Sequence, residues 1–134
     1  MKKIFALLIS AMLGLGIVGC IDKGPQNLEE YYDISENRAV LVKQLNNENI
    51  ESGSIYLKID FDVLDNLMIY KYTFATPVQA NSISKSIEMS LTEDFINDKI
   101  TALETDTGFE GISVQYIYYG PDNTELFNRT FNKK

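Results

Sequence analysis

Histidine is absent from the sequence, and cysteine occurs once, at Cys20. Without histidine the chain lacks the usual general base near neutral pH and the commonest metal ligand. Without a second cysteine it forms no internal disulfide and no zinc–thiolate site. The G-x-S-x-G nucleophile motif, the Gly-rich phosphate loop and the dinucleotide fingerprint are also missing. We therefore predict a protein that is not an enzyme and takes no cofactor.

The single cysteine ends an N-terminal segment typical of a secretory signal. The chain starts with the short basic head MKK, residues 4–18 carry no charge, and a polar stretch follows Cys20. The uncharged run is shorter than the roughly 20 residues that a bilayer span needs. Its ending, IVGC, resembles the lipobox of bacterial lipoproteins, in which cleavage before the cysteine leaves a lipidated N-terminus. We predict a signal peptide over residues 1–19 and acyl chains, palmitate among them, on Cys20.

Basic side chains are scarce in the part of the chain that follows the predicted signal peptide. Removal of residues 1–19 leaves 115 residues with 10 basic and 19 acidic side chains, a net charge of −9. A domain this acidic repels nucleic acid and anionic lipid headgroups. We expect no nucleic-acid partner, and contact with the membrane only through the lipid on Cys20. The predicted location is the extracytoplasmic face of the cell membrane, with residues 20–27 as a short tether and residues 28–134 as one α+β domain.

The first half of the domain predicts a helix and a hairpin. Asn27 can cap the helix, with Glu30 three residues on, and NNEN (46–49) is expected to end it. The stretch SIYLKIDFDV (54–63) alternates apolar and polar side chains as a half-buried strand does, and LMIYKYTF (67–74) is its expected partner. The side chains expected to face the core are Ile55, Leu57, Ile59, Phe61 and Val63 from the first strand, and Met68, Tyr70, Tyr72 and Phe74 from the second.

The second half predicts a helical segment and another hairpin. The helical segment opens at Pro77 and runs to about Thr107, with Gly108 as a left-handed cap, either as one bent helix or as two helices meeting near Thr92. GISVQYIYYG and TELFNRTF predict two strands around a turn at 120–123. The side chains expected to face the core are Ile112, Val114, Tyr116 and Tyr118 from the first of these strands, and Phe127 and Phe131 from the second. The order α-β-β-α-β-β predicts an α+β fold in two layers, with two helices on one face of a four-stranded antiparallel sheet.

Two groups of oxygen-bearing side chains could be read as calcium ligands, since hard cations take such oxygens. They are Asp60, Asp62, Asp65 and Asn66 in the first hairpin, and Asp122, Asn123 and Glu125 in the second. The first two aspartates fall on the polar side of a strand, and the other side chains lie in or beside turns, where such residues are common. We interpret both groups as solvated and predict no metal site.

Aromatic residues are abundant, with eight tyrosines and seven phenylalanines but no tryptophan. The face assignments leave four large side chains on the outer face of the sheet: Tyr56, Ile69, Ile117 and Tyr119. Such side chains are favoured at interfaces because they give a large contact area at low entropic cost. We predict these four as a candidate binding face. The alternative stays open that they are present because strands favour aromatic and β-branched residues even on wet faces.

Three stretches resemble a family of small lipoproteins from Gram-positive bacteria that is known only as a domain of unknown function. They are NLEEYY at the start of the domain, MIYKYTF on the second strand, and TGFEGISVQYIYYGPDNTEL near the end. The resemblance runs from about Leu28 to Phe131. It implies a lipidated cysteine, here Cys20, and a cell-surface location, and it implies no catalytic residue.

Three interpretations of function remain. The first is a non-enzymatic surface lipoprotein that binds an envelope or secreted protein through its sheet face. The second is an immunity or inhibitor-type lipoprotein directed against a basic protease or toxin, which an acidic surface would complement. The third is an enzyme or ligand-binding accessory that uses tyrosines and carboxylates. A well-formed pocket holding convergent tyrosine and carboxylate groups would favour the third.

Overall fold

The computed structural model describes residues 24–134, so the predicted signal peptide and the predicted lipidation site Cys20 lie outside the described residues. Within that range, no helix is long and apolar enough to cross a membrane. Over these described residues the fold is α+β, as predicted, with four helices and one four-stranded sheet. The helices are α1 (Leu28–Asp33), α2 (Ser35–Glu51), α3 (Ala80–Ser90) and α4 (Glu93–Thr107), and the strands are β1 (Tyr56–Leu64), β2 (Leu67–Phe74), β3 (Ser113–Tyr119) and β4 (Glu125–Asn132).

The first predicted helix is two helices. Asn27 caps α1 as predicted, and its side-chain oxygen accepts a hydrogen bond from the backbone N–H of Glu30 at 2.9 Å. Ile34 is extended, with φ −76° and ψ 124°, and separates α1 from α2. The predicted end at NNEN is wrong, because α2 continues to Glu51. The polar run stays helical because the Asn49 side chain hydrogen-bonds both backbone groups of Tyr56 on β1.

The second helical segment is also two helices, one of the two predicted alternatives. The hydroxyl of Thr92 accepts a hydrogen bond from the backbone N–H of Phe95 at 3.2 Å and so starts α4. Gly108 ends α4 with φ 83°, a left-handed conformation that suits glycine because it has no Cβ. The predicted cap at Gly108 and the junction near Thr92 are confirmed, whereas the predicted start at Pro77 is wrong, because α3 begins at Ala80.

The sheet is mixed, so the prediction of a wholly antiparallel sheet is wrong. Its strand order is β1-β2-β3-β4, with antiparallel pairing inside each hairpin and parallel pairing between β2 and β3. The first residues of the two central strands, Leu67 and Ser113, lie opposite each other. The connection through α3 and α4 is long enough to return the chain to the end where β2 starts, which a parallel pair requires.

One face of the sheet carries the core, and we call it the helix-side face. Across it, Phe61, Tyr70, Tyr116 and Arg129 lie opposite one another on successive strands. Side chains from all four helices contact this face. Tyr32 of α1 contacts Phe61, Glu48 of α2 contacts Tyr72, and Glu88 of α3 contacts Arg129. From α4, Phe95 packs against Tyr116, and Lys99 lies over the ring of Tyr70. We call the opposite side of the sheet the outer face.

Arg129 is a charged residue on the helix-side face, between Phe127 and Phe131. Its guanidinium lies 5.3 Å from the centre of the Phe127 ring, and its Nη1 is 3.1 Å from a carboxylate oxygen of Glu88 on α3. Because β4 is an edge strand, this side chain remains about half exposed while its stem covers the neighbouring ring. The predicted inward placement of Phe127 and Phe131 is therefore compatible with a charge between them.

Candidate functional site

Tyr56 does not belong to the predicted binding face. A β-bulge between Tyr56 and Lys58 shifts the alternation by one residue, so the ring of Tyr56 lies on the helix-side face, 5.0 Å from the ring of Tyr72. For the same reason the predicted inward placement of Ile55 and Leu57 is wrong, and these side chains are 49% and 66% exposed.

The other three predicted residues lie on the outer face. Ile69 is opposite Asp62, Ile117 is opposite Lys71, and Tyr119 is opposite Thr73. Ile117 is nevertheless only 8% exposed. Ile69 and Tyr119 are half-buried, so the apolar area that this face offers is small.

Polar side chains on the outer face pair with one another across the strands. The Lys71 ammonium pairs with the Asp62 carboxylate, and the Gln115 amide donates to Asn128 Oδ1 at 2.7 Å. The hydrogen bond between Lys71 and Asp62, together with the Asp62 charge, raises the pKa of Lys71. Because these polar groups are already bonded to one another, a protein that bound to the outer face would gain little free energy from them.

The acidic residues considered as calcium ligands have local partners. Asp60 accepts a hydrogen bond from the backbone N–H of Phe61 at 2.9 Å, and Asp122 accepts one from the backbone N–H of Thr124 at 3.1 Å. The bonds from Thr124 lower the pKa of Asp122. Among residues 24–134, no three acidic, histidine or cysteine side chains come together in a way that could hold a metal ion.

The helix-side face holds four stacked tyrosines, which we call the tyrosine cluster. Parallel pairing of β2 and β3 sets Tyr70 opposite Tyr116 and Tyr72 opposite Tyr118, with ring centres 5.2 Å and 4.6 Å apart. The hydroxyl of Tyr72 donates to a carboxylate oxygen of Glu48 on α2 at 2.8 Å. The hydroxyl of Tyr116 is buried and has no hydrogen-bond partner within the described range.

The tyrosine cluster is closed and stays neutral. Its four side chains are between 1% and 7% exposed. Burial raises all four pKa values, and the Glu48 charge raises them further. A phenol with a raised pKa donates a hydrogen bond at neutral pH but does not abstract a proton. The cluster therefore contributes packing and hydrogen bonding, and it offers no opening to a ligand.

A cavity of about 320 Å³ opens among α1, α2 and the end of α4, and we call it the inter-helix pocket. It combines aromatic rings, amides and one carboxylate, which is the kind of convergence that the third interpretation requires. The pocket is lined by Tyr31, Tyr32, Asn37, Val40, Leu41, Gln44 and Asp106.

The pocket is built on a rigid base because α1 is fixed to the turn between β1 and β2. The backbone N–H of Leu28 donates to Asn66 Oδ1 at 2.9 Å, and backbone and carboxylate of Glu29 hydrogen-bond the backbone of Asp65. Leu28 is fully buried. The stretch NLEEYY thus supplies the cap, the anchor and two rings of the pocket, with Tyr31 and Tyr32 next to each other.

Contacts with α2, with the end of α4 and between the two side chains hold Tyr31 and Tyr32 in place. The Asn37 amide donates to the backbone oxygen of Tyr31 at 2.9 Å, and the Tyr31 hydroxyl donates to the backbone oxygen of Asp106 at 3.4 Å. The rings of Tyr31 and Tyr32 meet edge to face with centres 5.0 Å apart, and Phe109 packs against Tyr31 in the same way. The rings are therefore held in place before any ligand arrives.

Asp106 gives the pocket its charge. Burial, with smaller contributions from the nearby Tyr31 and Asp106, raises the pKa of Tyr32 to about 12. Tyr32 is thus a neutral hydroxyl beside a carboxylate. No cation forms an ion pair with the Asp106 side chain anywhere in residues 24–134.

A larger cavity, about 500 Å³, lies beside the turn of the second hairpin. Its walls are mainly apolar, from Pro77, Val78, Pro121 and Leu126, and its one carboxylate, Asp122, is already bound to Thr124. Because it presents few polar groups free to fix a ligand, we consider the smaller inter-helix pocket the stronger site.

Sequence reasoning did not identify the inter-helix pocket. Asp106 on α4 is far along the chain from the lining residues on α1 and α2, so no local pattern joins them. One local signal was available: Asp106 stands near the end of a helix that Gly108 was predicted to terminate, where a negative charge is unfavourable.

Comparison with known proteins gives a family and no activity. A family model described as Domain of unknown function (DUF4854) matches residues 28–131, from the first residue of α1 to the penultimate residue of β4. No curated protein and no solved structure matches the chain. The predicted resemblance to a domain of unknown function is confirmed over the predicted range, from Leu28 to Phe131.

Proposed function

The chain belongs to the DUF4854 family, and we propose that it is a lipid-anchored extracytoplasmic lipoprotein whose domain binds a partner without catalysis. The anchor rests on the sequence, with its basic head, uncharged run and IVGC ending at Cys20. Two or more acyl chains hold a protein stably at a membrane. Residues 21–27 span at most about 25 Å, so the domain lies close to the bilayer.

The observation that carries the binding role is the inter-helix pocket. Its volume of about 320 Å³ falls within the range of ligand sites, and Tyr31 is held by hydrogen bonds with Asn37 on α2 and Asp106 on α4. It presents one carboxylate with no cationic partner in the described part of the chain. A rigid pocket of this kind binds with little loss of side-chain entropy.

Several features support binding over catalysis. A reaction needs a group that moves a proton or forms a bond near neutral pH. The pocket holds two tyrosines, two amides and one carboxylate, and the pKa of Tyr32 is raised, which suits hydrogen-bond donation and not proton abstraction. The chain has no histidine, and its one cysteine is the proposed lipid attachment site.

The anchor is tested by replacing the proposed lipid attachment site in the native host. Cys20→Ala should abolish incorporation of a labelled fatty acid and leave the protein as a heavier, uncleaved precursor. Asp22→Ala, two residues away, is the matched control and should be labelled and processed like the wild type. Continued labelling of Cys20→Ala would refute the lipoprotein proposal.

The binding role is tested by quantitative capture with the full-length protein in detergent. It is exposed to an envelope extract beside Asp106→Asn, which alters the pocket, and Ile69→Ser/Tyr119→Ser, which alters the outer face. A partner that is lost with the pocket variant and kept by the outer-face variant supports the site proposed here. The reverse result would move binding to the outer face. Identical protein profiles for all three would contradict a protein-binding role.

A further inference from the structure

We propose that the inter-helix pocket binds one protonated lysine or arginine side chain, presented by a basic segment of the partner protein. This inference rests on the proposed binding function and names the chemistry that its pocket recognises. It also agrees with the inhibitor-type alternative, since a basic protease or toxin would carry such a segment. Four observations lead to it, and they concern charge, rings, walls and overall field.

The first observation is an acidic residue at the C-terminal end of a helix, where a negative charge is unfavourable. The last turn of α4 contains Glu104 and Asp106 and no basic residue, although carbonyl groups give this end of a helix a partial negative charge. Glu104 is compensated by Lys133 at 3.1 Å and by the backbone N–H of Gly111. Asp106 has no such compensation in the described range. Of these two carboxylates, that of Asp106 is therefore the one left to pair with a cation from outside the domain.

The second observation is the ring beside this carboxylate. The hydroxyl of Tyr31 donates to the backbone oxygen of Asp106, so the ring and the charged end of α4 stay together. Tyrosine faces attract lysine and arginine cations, and a carboxylate adds an ion pair. The amide oxygens of Asn37 and Gln44 on α2 supply further acceptors for N–H donors.

The third observation is the apolar wall, which distinguishes a protein side chain from a free polyamine. Val40 and Leu41 line the pocket on α2, and Val40 remains 58% exposed. Lysine and arginine carry one charge at the end of an apolar stem, so the stem can cover these side chains while the head meets Asp106. A polyamine would place another charge against the same apolar surface.

The fourth observation is the field around the pocket. After removal of residues 1–19 the protein carries a net charge of −9, which accelerates the approach of basic proteins and slows that of acidic ones. The general field explains attraction, whereas the pocket explains where one cation is held. This difference makes the inference testable, because the two effects respond differently to neutralising single charges.

The test measures fluorescence anisotropy of a labelled peptide, Gly-Ser-Lys-Gly-Ser-Lys-Gly-Ser, with the full-length lipidated protein in non-ionic detergent. The wild type should bind it, and acetylation of both lysines should abolish binding. Asp106→Asn should weaken binding by about tenfold, the loss of about 1.4 kcal/mol. Asp98→Asn changes the net charge equally on the same helix, away from the pocket, and should weaken binding less than about twofold. Unlabelled spermidine should compete poorly.

A second readout separates recognition from a structural role. The Asp106→Asn variant should melt at the same temperature as the wild type or higher, because it removes a negative charge from the negative end of α4. A lower melting temperature would show that Asp106 serves the fold. Equal weakening by Asp98→Asn, binding of the acetylated peptide, tighter binding of spermidine, or no peptide binding would each overturn the inference. Envelope capture at the outer face would leave the proposed binding function standing.

Discussion

Tyr72 and Tyr119 lie on neighbouring strands of one sheet, but their environments differ. Tyr72 is 4% exposed, stacked on Tyr118 and hydrogen-bonded to Glu48, whereas Tyr119 is half-buried on the outer face among polar side chains that pair across strands. On the helix-side face a tyrosine is a large core residue with a hydroxyl that needs a partner. On the outer face the same residue type adds little beyond local contacts.

The difference also locates function. The outer face satisfies its own polar groups, and Ile117 at its centre is nearly covered. The helix-side face is closed over the tyrosine cluster, and the inter-helix pocket opens beside it, among α1, α2 and α4. Asp106, an acidic residue in the last turn of α4 with no ion pair in residues 24–134, stands there. Four predictions would break or sharpen this contrast between the faces.

The largest expected effect is alkaline unfolding. Burial raises the pKa values of the four tyrosines in the cluster, and it raises that of Tyr32 to about 12, from an ordinary value of 10. Above pH 10 the unfolded chain therefore loses protons that the folded chain keeps, so the free energy of unfolding must fall as pH rises. Each fully buried tyrosine should contribute about 1.4 kcal/mol per pH unit. Urea unfolding at pH 8 and pH 11 measures the loss, and equal stability at both would contradict the prediction.

Truncation should distinguish the faces next. Tyr72→Ala removes a stacked, buried ring and should lower the free energy of unfolding by about 3–5 kcal/mol. Tyr119→Ala makes the same chemical change on the outer face and should cost less than about 1 kcal/mol. Urea midpoints with unchanged slopes provide the comparison. Similar losses for both variants would show that the outer face is part of a core.

Hydroxyl removal should have opposite signs within the tyrosine cluster. Tyr116→Phe deletes a buried hydroxyl that lacks a partner in residues 24–134 and should raise the free energy of unfolding by about 1 kcal/mol. Tyr72→Phe breaks the bond to Glu48 and should lower it by about the same amount. Thermal unfolding of the two variants beside the wild type checks the signs, and a destabilised Tyr116→Phe would show that its hydroxyl has a partner.

The smallest effect is expected for the ion pair on the outer face. Lys71 and Asp62 are both partly exposed, so Asp62→Asn should change the free energy of unfolding by less than about 1 kcal/mol. The change should shrink further in 1 M salt, where charges beyond about 3 Å are screened. A larger, salt-independent loss would mean that this face is less solvated than its pairing indicates.

Local chemistry was predictable from sequence, and long-range geometry was not. Asn27 and Gly108 were placed correctly because a cap depends on a few neighbouring residues. The faces of β2 and β3 followed from alternation over uninterrupted strands. Tyr56 was misplaced because a single inserted residue reverses every face before it, and a bulge leaves no mark in the pattern.

The end of α2 and the direction of β3 depended on contacts with other elements of the fold. Helix α2 continues through the polar run NNEN because the Asn49 amide hydrogen-bonds the backbone of Tyr56 on β1. Helix propensities describe single residues and do not include such a contact. The crossover through α3 and α4 permits either strand direction by length alone, and packing on the helix-side face selects the parallel one.

The sequence by itself determined the α+β class, the caps at Asn27 and Gly108 and the inward faces of the central strands, because each depends on residues within a turn or two of one another. Lipid attachment at Cys20 stays a prediction from a local pattern of the same kind. Only the tertiary structure decided which side chains share a pocket. Tyr31 and Asp106 are 75 residues apart in the chain, and they meet because α1 is bound to the β1–β2 turn while α4 packs on the same sheet. Proximity of that kind follows from burial of the whole domain and not from any local pattern.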